Sequence, residues 1–174
     1  MDTIALVGNP NSGKTTLFNA LTGSNQHVGN WPGVTVEKKE GILKHNKKTY
    51  KIVDLPGTYS LGAFSDDEIV ARDFILKGNP SVVINVVDAT NIERNLYLTI
   101  QLLEMGAKVV VALNMVDEAE ERQISFDIEA LSDTLGIPII PTVASKREGI
   151  DGSIKKSIEL MDKDIDYINS ISYG

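Results

Sequence analysis

The feature that most constrains this chain is a glycine-rich turn between a predicted strand and a predicted helix. Residues 8–15 read Gly-Asn-Pro-Asn-Ser-Gly-Lys-Thr, which fits the pattern Gly-x-x-x-x-Gly-Lys-Ser/Thr. Residues 3–7 before it are apolar and of strand length, and residues 14–22 favour a helix that ends near Gly23. A strand, a glycine-rich turn and a helix in this order are typical of a phosphate-binding loop. The sequence therefore predicts a site for a phosphorylated ligand.

Each part of this phosphate loop (residues 8–15) has a chemical purpose. Gly8 and Gly13 are expected to allow backbone conformations that direct several N–H groups at an anion, and the helix N-terminus adds its positive dipole end. Lys14 places a positive charge on the outer phosphates, and Thr15 offers a hydroxyl to Mg²⁺. The predicted phosphate-binding residues are Gly8, Asn9, Pro10, Asn11, Ser12, Gly13, Lys14, Thr15 and Thr16.

Charge and cysteine content exclude several other classes of function. The 174 residues are 42% hydrophobic and 24% charged, with a formal net charge of −7. This balance disfavours binding to nucleic acid, because capture of a polyanion needs a basic surface. The chain has no cysteine, so neither a disulfide partner nor a thiolate metal site is expected. No apolar run approaches the ~20 residues that a membrane span requires, so we expect this segment to be soluble.

The pattern of apolar segments predicts alternating strands and helices. Strands are expected at 3–7, 36–44, 49–53, 82–88, 108–114 and 137–140, and helices at 14–22, 67–77, 92–105, 126–135 and 150–162. The runs that begin near Val82 and Val109 are almost continuously apolar, as strands buried on both faces are. Residues 36–53 indicate an early hairpin. We therefore predict an α/β fold with a doubly wound, mostly parallel six-stranded sheet, one antiparallel edge strand and helices on both faces.

A second polar segment, residues 54–57, follows the predicted strand 49–53. A carboxylate at the end of a strand can hold Mg²⁺, directly or through water, so Asp54 is expected opposite Thr15. The N–H of Gly57 can approach a terminal phosphate because glycine has no side chain to obstruct it. The residues assigned to this part of the site are Asp54, Leu55, Pro56 and Gly57.

Two further segments predict which base is bound. The predicted strand 108–114 leads into Asn-Met-Val-Asp, whose last residue, Asp117, can accept two hydrogen bonds from guanine. Adenine presents neither donor on that edge, and a buried carboxylate without partners is costly. Asn114 is expected to brace the pocket and reach back to the phosphate loop, and the N–H of Ala144 to meet the guanine carbonyl oxygen. The predicted base-binding residues are Asn114, Met115, Asp117, Val143, Ala144 and Ser145.

A long polar loop, residues 24–35, lies between the first helix and the strand predicted at 36–44. Long loops in compact domains are usually functional or mobile. Thr35, preceded by Gly33 and Val34, is predicted to close over the site, with its hydroxyl on Mg²⁺ and its N–H on the γ-phosphate. Loss of the γ-phosphate would release this loop, which makes it a candidate switch. The predicted Mg²⁺ ligands are Thr15, Thr35 and Asp54.

Together these segments resemble a small GTPase of the translation-factor-related class, which implies a small-GTPase-like P-loop NTPase fold. Residues 28–37 read Val-Gly-Asn-Trp-Pro-Gly-Val-Thr-Val-Glu, and residues 58–61 read Thr-Tyr-Ser-Leu. With the phosphate loop and its continuation to Asn19, these runs are similar to the N-terminal GTPase domain of the ferrous iron transport protein B (FeoB) family. The resemblance extends over roughly residues 3–162.

The resemblance implies a protein larger than this chain. In the family, the GTPase domain is joined to a short helical domain and then to a membrane domain that moves Fe²⁺. We therefore expect residues 1–165 to form the GTP-binding domain and residues 166–174 to be a tail that leads to those helical and transmembrane partners. In the full-length protein the domain would lie at the cytoplasmic face of the cell membrane, and the sequence leaves a homo-oligomer open.

The expected reaction is attack of water on the γ-phosphorus of GTP, giving GDP and phosphate. Many related enzymes orient the water with a Gln just after Asp-x-x-Gly, but Thr58 and Tyr59 stand there, so slow intrinsic hydrolysis is expected. Asn11 matches the Asn with which related GTPases hold K⁺ beside the β- and γ-phosphates. The resemblance thus implies K⁺-stimulated hydrolysis, although Asn11 could instead cap the loop. The predicted catalytic residues are Lys14, Thr35, Gly57 and Asn11.

Other functions stay open from the sequence. A soluble GTPase of ribosome assembly or tRNA modification would share the phosphate loop, but would need an RNA-binding domain or basic surface. A non-hydrolysing sensor of GTP or GDP also fits, and the missing Gln supports it. An ATP-using enzyme is disfavoured by Asp117.

Overall fold

The structure, a computed structural model, describes residues 1–62 and 64–162, along which strands and helices alternate. The strands are β1 Thr3–Gly8, β2 Gln26–Asn30, β3 Glu37–His45, β4 Lys48–Asp54, β5 Val82–Asp88, β6 Val109–Asn114 and β7 Ile139–Pro141. The α-helices are α1 Lys14–Thr22, α2 Asp66–Lys77, α3 Ile92–Glu104, α4 Val116–Glu121, α5 Ile128–Leu135 and α6 Ile150–Met161. Short 3-10 turns occupy Ala89–Asn91 and Ala144–Lys146.

In this part of the chain the strands form one sheet with the order β2-β3-β4-β1-β5-β6-β7. β1 pairs in parallel with β4 and β5, and β5, β6 and β7 continue in parallel. β3 is antiparallel to both of its neighbours, β2 and β4. The predicted fold class is confirmed. Two details were wrong, because the sheet has seven strands rather than six and the antiparallel strand β3 lies inside it, with β2 at the edge.

The additional strand β2 lies inside the loop expected at residues 24–35. Its five residues read Gln-His-Val-Gly-Asn, and all of them are exposed. They pair with β3 in a register that runs from Gln26 opposite Gly41 to Asn30 opposite Glu37. No alternation of apolar and polar residues marks this segment, so its strand conformation depends on the partner strand rather than on its own pattern.

The hydrophobic core lies on both faces of the sheet. In β1, Ile4 and Leu6 pack with α1 and α6, whereas Ala5 and Val7 pack with α2, α3 and α5. All four side chains are fully buried. Burial on both faces explains why the central strands are almost continuously apolar. The carboxyl ends of the parallel strands therefore meet on a rigid edge, which is where ligands bind in folds of this kind.

The remaining elements lie close to their predicted positions. Helix α4 is an exception, because the sequence does not predict its six residues as a helix; it begins after Met115, which has a φ of 64°. The predicted tail, residues 166–174, lies outside the described residues. None of the described helices is both long enough and apolar enough to cross a membrane.

Candidate nucleotide-binding site

The turn between β1 and α1 encloses a cavity of about 390 Å³. Helix α1 begins at Lys14, directly after Gly13, and no side chain of the described residues caps its N-terminus. The first N–H groups of an α-helix have no partner within the helix, so they are available to an anion at this end. The cavity is lined by Asn9, Pro10, Asn11, Gly13, Lys14, Thr15 and Gly57.

The two glycines of the phosphate loop are required for different reasons. Gly13 has a φ of 90°, and a Cβ there would lie 2.1 Å from Nδ2 of Asn114. A Cβ at Gly8 would lie 2.8 Å from both Ser12 Oγ and Val86 O. Gly13 therefore adopts a left-handed conformation that favours glycine, whereas Gly8 provides space for the close approach of the loop to β5.

Polar atoms inside the phosphate loop are buried without a partner in the described residues. These atoms are both side-chain polar atoms of Asn9 and the hydroxyl of Ser12. Asn11, between them, is exposed at the cavity and has a φ of 68°. Asn11, the residue predicted to hold K⁺, therefore lines the phosphate cavity.

Lys14, at the start of α1, forms an ion pair with Asp54, at the end of β4. Both side chains are nearly buried, with 10% and 7% of their surfaces exposed. Burial raises the pKa of Asp54 above its ordinary value of 3.8, although the Lys14 ammonium opposes this rise. The ammonium predicted to hold the outer phosphates thus contacts the carboxylate predicted to face Mg²⁺.

A second cavity of about 280 Å³ shares Lys14 and Thr15 with the first. Its other lining residues are Val36, Glu37, Lys39, Asp54, Leu55, Pro56 and Asp67. Two predicted Mg²⁺ ligands, Thr15 and Asp54, therefore lie in one cavity. The described residues contain no cluster of three or more histidine, cysteine or acidic side chains placed to hold a metal. A hydroxyl, a carboxylate and nucleotide oxygens are nevertheless a donor set that fits Mg²⁺.

The third predicted Mg²⁺ ligand, Thr35, is not assembled with the other two. Thr35 is exposed, and it is the next residues, Val36 and Glu37, that line the metal cavity. Asp67, which also lines it, was missed from the sequence. It is one of three acidic residues in the first turn of α2, a pattern that usually indicates only a helix N-terminus.

The base end of the site is built around Asn114. Its Nδ2 donates a hydrogen bond to Ser12 O at 3.1 Å, and its Oδ1 accepts from Ala144 N at 3.0 Å and Thr142 Oγ1 at 3.2 Å. The side chain is almost completely buried. The expectation that Asn114 braces the pocket and reaches back to the phosphate loop is confirmed.

Two predicted base contacts have other partners. The N–H of Ala144, which was predicted to meet the guanine carbonyl oxygen, donates to Asn114 Oδ1. The next residue, Ser145, is exposed and follows in the same turn. Asp117 lies in the first turn of α4, where Lys146 Nζ is 3.4 Å from its Oδ2. Its side chain is 34% exposed, so it is accessible to a base.

Comparison with known proteins agrees with this geometry. The family model described as ferrous iron transport protein B matches residues 2–158. The chain belongs to the ferrous iron transport protein B family.

Curated FeoB proteins are similar to most of this chain. The Fe(2+) transporter FeoB of Salmonella typhimurium (strain LT2) is 55% identical over 161 residues, and that of Escherichia coli (strain K12) is 56% identical over 161 residues. Each match covers 90% of this chain but 21% of the relative. The chain therefore spans about a fifth of the length of these relatives.

Solved FeoB structures have the same fold. A crystal structure of an S. thermophilus NFeoB mutant bound to GDP is 53% identical, with a TM-score of 0.86, over 90% of this chain and 61% of that chain. The cytosolic domain of the T. maritima FeoB iron transporter in its GMPPNP form is 48% identical, with a TM-score of 0.91. That match covers 94% of this chain and 65% of the other.

The two residues that stand where many GTPases have a Gln are engaged elsewhere in this FeoB-family chain. Thr58 is buried; its N–H donates to Gly8 O at 3.1 Å and its hydroxyl to Ser60 O at 2.7 Å. The ring of Tyr59 lies 4.2 Å from the guanidinium carbon of Arg94. Neither side chain is among those that line the two cavities.

Proposed function

We propose that residues 1–165 form the GTP-binding and GTP-hydrolysing regulatory domain of a membrane ferrous iron transporter. The observation that carries this proposal is the brace by which Asn114 joins the phosphate loop to the loop after β7. It brings a phosphate cavity and a base-recognition loop to one edge of the sheet. The relatives named as Fe(2+) transporters, and the solved ones named with GDP or GMPPNP, support the same ligand and the same transport role.

The phosphate end of the site would hold the triphosphate through main-chain N–H groups at the start of α1. Lys14 lines both cavities, and its ammonium would leave Asp54 and pair with the outer phosphates. Thr15 and Asp54 would then hold Mg²⁺, which neutralises charge that develops on the phosphate oxygens. Thr35 and the N–H of Gly57 would complete this end of the site when the loop closes.

At the base end, Asp117 would accept hydrogen bonds from the guanine ring N–H and exocyclic amine. Because the N–H of Ala144 is bonded to Asn114, we assign the contact with the guanine carbonyl oxygen to the N–H of Ser145. Met115 and Val143 flank the base-recognition loops. We expect discrimination against adenine to come from Asp117, because adenine offers its carboxylate no hydrogen-bond donor in place of the two that guanine offers.

Nucleotide binding is tested by calorimetry on the purified domain with Mg²⁺. We expect GDP to bind at least about 100-fold more tightly than ADP, since a site built to pair with a substrate N–H rejects a base that lacks it. Equal affinities for the two nucleotides would refute the proposed function. A Glu118→Gln variant, exposed next to Asp117, should keep the preference for GDP and serves as the control.

Hydrolysis is proposed to be slow and stimulated by K⁺ held at Asn11. K⁺ would supply positive charge beside the β- and γ-phosphates, a role that an arginine finger fills elsewhere. GTP turnover should be faster in K⁺ than in Na⁺, and Asn11→Ala should remove that difference while GDP affinity stays within about two-fold. Equal rates in K⁺ and Na⁺ for the unaltered domain would defeat the K⁺ proposal.

A second candidate, a non-hydrolysing sensor of GTP or GDP, is favoured by the contacts of Thr58 and Tyr59. With both side chains bonded or stacked elsewhere, neither is placed to orient water. Single-turnover measurements with Mg²⁺ and K⁺ separate the two functions. Release of phosphate from prebound GTP supports the enzyme, whereas GTP that stays intact supports the sensor.

For the full-length protein we propose a position at the cytoplasmic face of the cell membrane, with helical and transmembrane domains as partners. The support is the length of the curated relatives and the solved relatives named as cytosolic domains. Protease protection of the full-length protein in sealed vesicles would test the orientation. In right-side-out vesicles we expect the domain to be protected from added protease. It should be digested only after the membrane is permeabilised.

A further inference from the structure

The loop proposed to close over GTP carries one aromatic side chain, Trp31, which packs on α2. Its ring packs edge-on against Phe74 of α2, with the ring centroids 5.6 Å apart and an interplanar angle of 69°. Lys38 Nζ lies 4.7 Å from the centroid of the indole ring. Trp31 also packs against the buried cluster on that face of the sheet. The residues of β2 before it are exposed, as are Pro32 and Thr35 after it.

The backbone of Trp31 also holds the turn that carries Thr35. The N–H of Trp31 donates to Val36 O at 2.9 Å, and the N–H of Val34 donates to Trp31 O at 3.4 Å. Residues 31–36 therefore form a closed turn whose first residue is anchored on α2. The position of Thr35 depends on this anchor, because Thr35 itself is exposed.

This arrangement differs from the closed site that hydrolysis requires. Thr35 is not among the residues that line the cavity shared by Thr15 and Asp54. The strand before this turn, β2, is paired with β3 from Gln26 to Asn30. For Thr35 to reach Mg²⁺, the turn has to leave the position that the indole ring defines.

We propose that Trp31 and Phe74 form a latch that holds loop 24–35 open, and that closure over Mg²⁺ and GTP breaks their contact. The inference rests on the proposed function, since GTP is the ligand whose binding would break the contact between Trp31 and Phe74. Trp31 Nε1 is buried without a hydrogen-bond partner in the described residues, so release of the ring gains a hydrogen bond to water. Because Phe74 belongs to α2, the latch couples this loop to the helix that carries Asp67.

The latch can be observed directly because Trp31 is the only tryptophan of the chain. In the nucleotide-free and GDP-bound domain, we expect emission from a partly buried indole and weak quenching by acrylamide. A non-hydrolysable GTP analogue with Mg²⁺ and K⁺ should shift the emission to longer wavelength and raise the quenching constant about two-fold or more. If calorimetry shows that the analogue binds while emission and quenching stay unchanged, the latch is refuted.

Removal of the partner ring gives the second test. Phe74→Ala should show the shifted emission without nucleotide, keep GDP affinity, and hydrolyse GTP about 3–10-fold faster in a single turnover, because closure no longer competes with the contact. Leu76→Ala is the matched control, since Leu76 is half-exposed on the same helix and should leave emission and rate as they are. Lys38→Gln removes the ammonium that lies over the indole ring without opening a core cavity, and a smaller change in the same direction is expected.

These results separate the latch from the proposed function. A Phe74→Ala domain with unaltered emission would overturn the latch even if GTP is hydrolysed normally. Shifted emission with slower hydrolysis would also overturn it, because Trp31 would then position the closed state rather than oppose it. Failure of the unaltered domain to hydrolyse GTP would refute the enzyme, while the emission of nucleotide-free Phe74→Ala would still decide whether the contact holds the ring.

Discussion

The two ends of the candidate site differ in how far they are assembled. At the base end, the buried amide of Asn114 joins Ser12, Thr142 and Ala144 by hydrogen bonds that need no ligand. At the loop end, Thr35 is exposed and the turn that carries it is anchored on α2 by Trp31. The proposed base-binding end is therefore organised in advance by rigid strands, whereas the groups proposed for hydrolysis still have to be brought together.

The largest expected effect comes from Lys14→Ala, because the ammonium lines both the phosphate cavity and the cavity that contains Thr15 and Asp54. Loss of its charge-assisted hydrogen bonds to phosphate should weaken GDP and GTP binding about 100-fold or more. Calorimetry measures the change, with Lys48→Ala at the exposed hairpin turn as the control. Affinities that stay within about three-fold of the unaltered domain would contradict the assigned role.

Asp117→Asn tests the base end alone. An amide in place of the carboxylate cannot accept both guanine donors, so GDP affinity should fall about 100-fold, while xanthosine diphosphate, whose extra carbonyl accepts a hydrogen bond, should gain. Competition between the two nucleotides measures the switch. A variant that still selects GDP strongly would show that another residue reads the base.

Asn114→Ala asks whether the brace is needed for binding or only for folding. We expect a loss of about 1–3 kcal/mol in the free energy of unfolding and about 10-fold weaker GDP binding. Asn95→Ala is the matched control, because Asn95 is equally buried. Its side chain bonds to Asp88 N and Asn91 O, neither of which belongs to the phosphate loop. Equal losses of affinity in the two variants would contradict a specific role for Asn114.

Thr35→Ala tests the loop end. Because Thr35 is exposed, its removal should leave GDP affinity within about two-fold but lower the rate of hydrolysis about 10-fold. Thr35→Ser keeps the hydroxyl and should recover most of the rate. If Thr35→Ala acts mainly on binding, the residue has no switch role.

The smallest effect is expected from pH, through Asp54. Burial raises the pKa of this carboxyl in the folded protein, so at neutral pH the ionised group costs stability, and the cost disappears as pH falls through the raised pKa. Mg²⁺ needs the ionised form. As pH falls, the gain in GDP affinity that Mg²⁺ provides should therefore decline at a higher pH than an aspartate of ordinary pKa would give. A decline only where an ordinary aspartate titrates would contradict the raised pKa.

Much of this architecture could be predicted because the relevant signals are local. Continuous apolar runs predict β5 and β6, and the phosphate loop before it predicts α1. β2 could not be predicted, since its strand conformation comes from pairing with β3 rather than from its own residues. Its placement requires knowledge of the partner strand, which lies in a later part of the chain.

The candidate site shows the same limit. Spacing alone identifies Lys14, Asp54 and Asn114, but not which groups each one contacts. That Asn114 takes the N–H of Ala144 follows from the meeting of two loops after different strands. The contact between Trp31 and Phe74 likewise joins residues that no short motif connects.

The ion pair between Lys14 and Asp54 has a consequence for the order in which ligands arrive. The Lys14 ammonium already neutralises the Asp54 carboxylate. A free divalent ion would therefore have to compete with this ammonium for the carboxylate. A nucleotide that arrived with its metal would allow an exchange in which every anion keeps a cation beside it, because Lys14 would move to the phosphate and the metal would bind Asp54. Metal and nucleotide should therefore enter together.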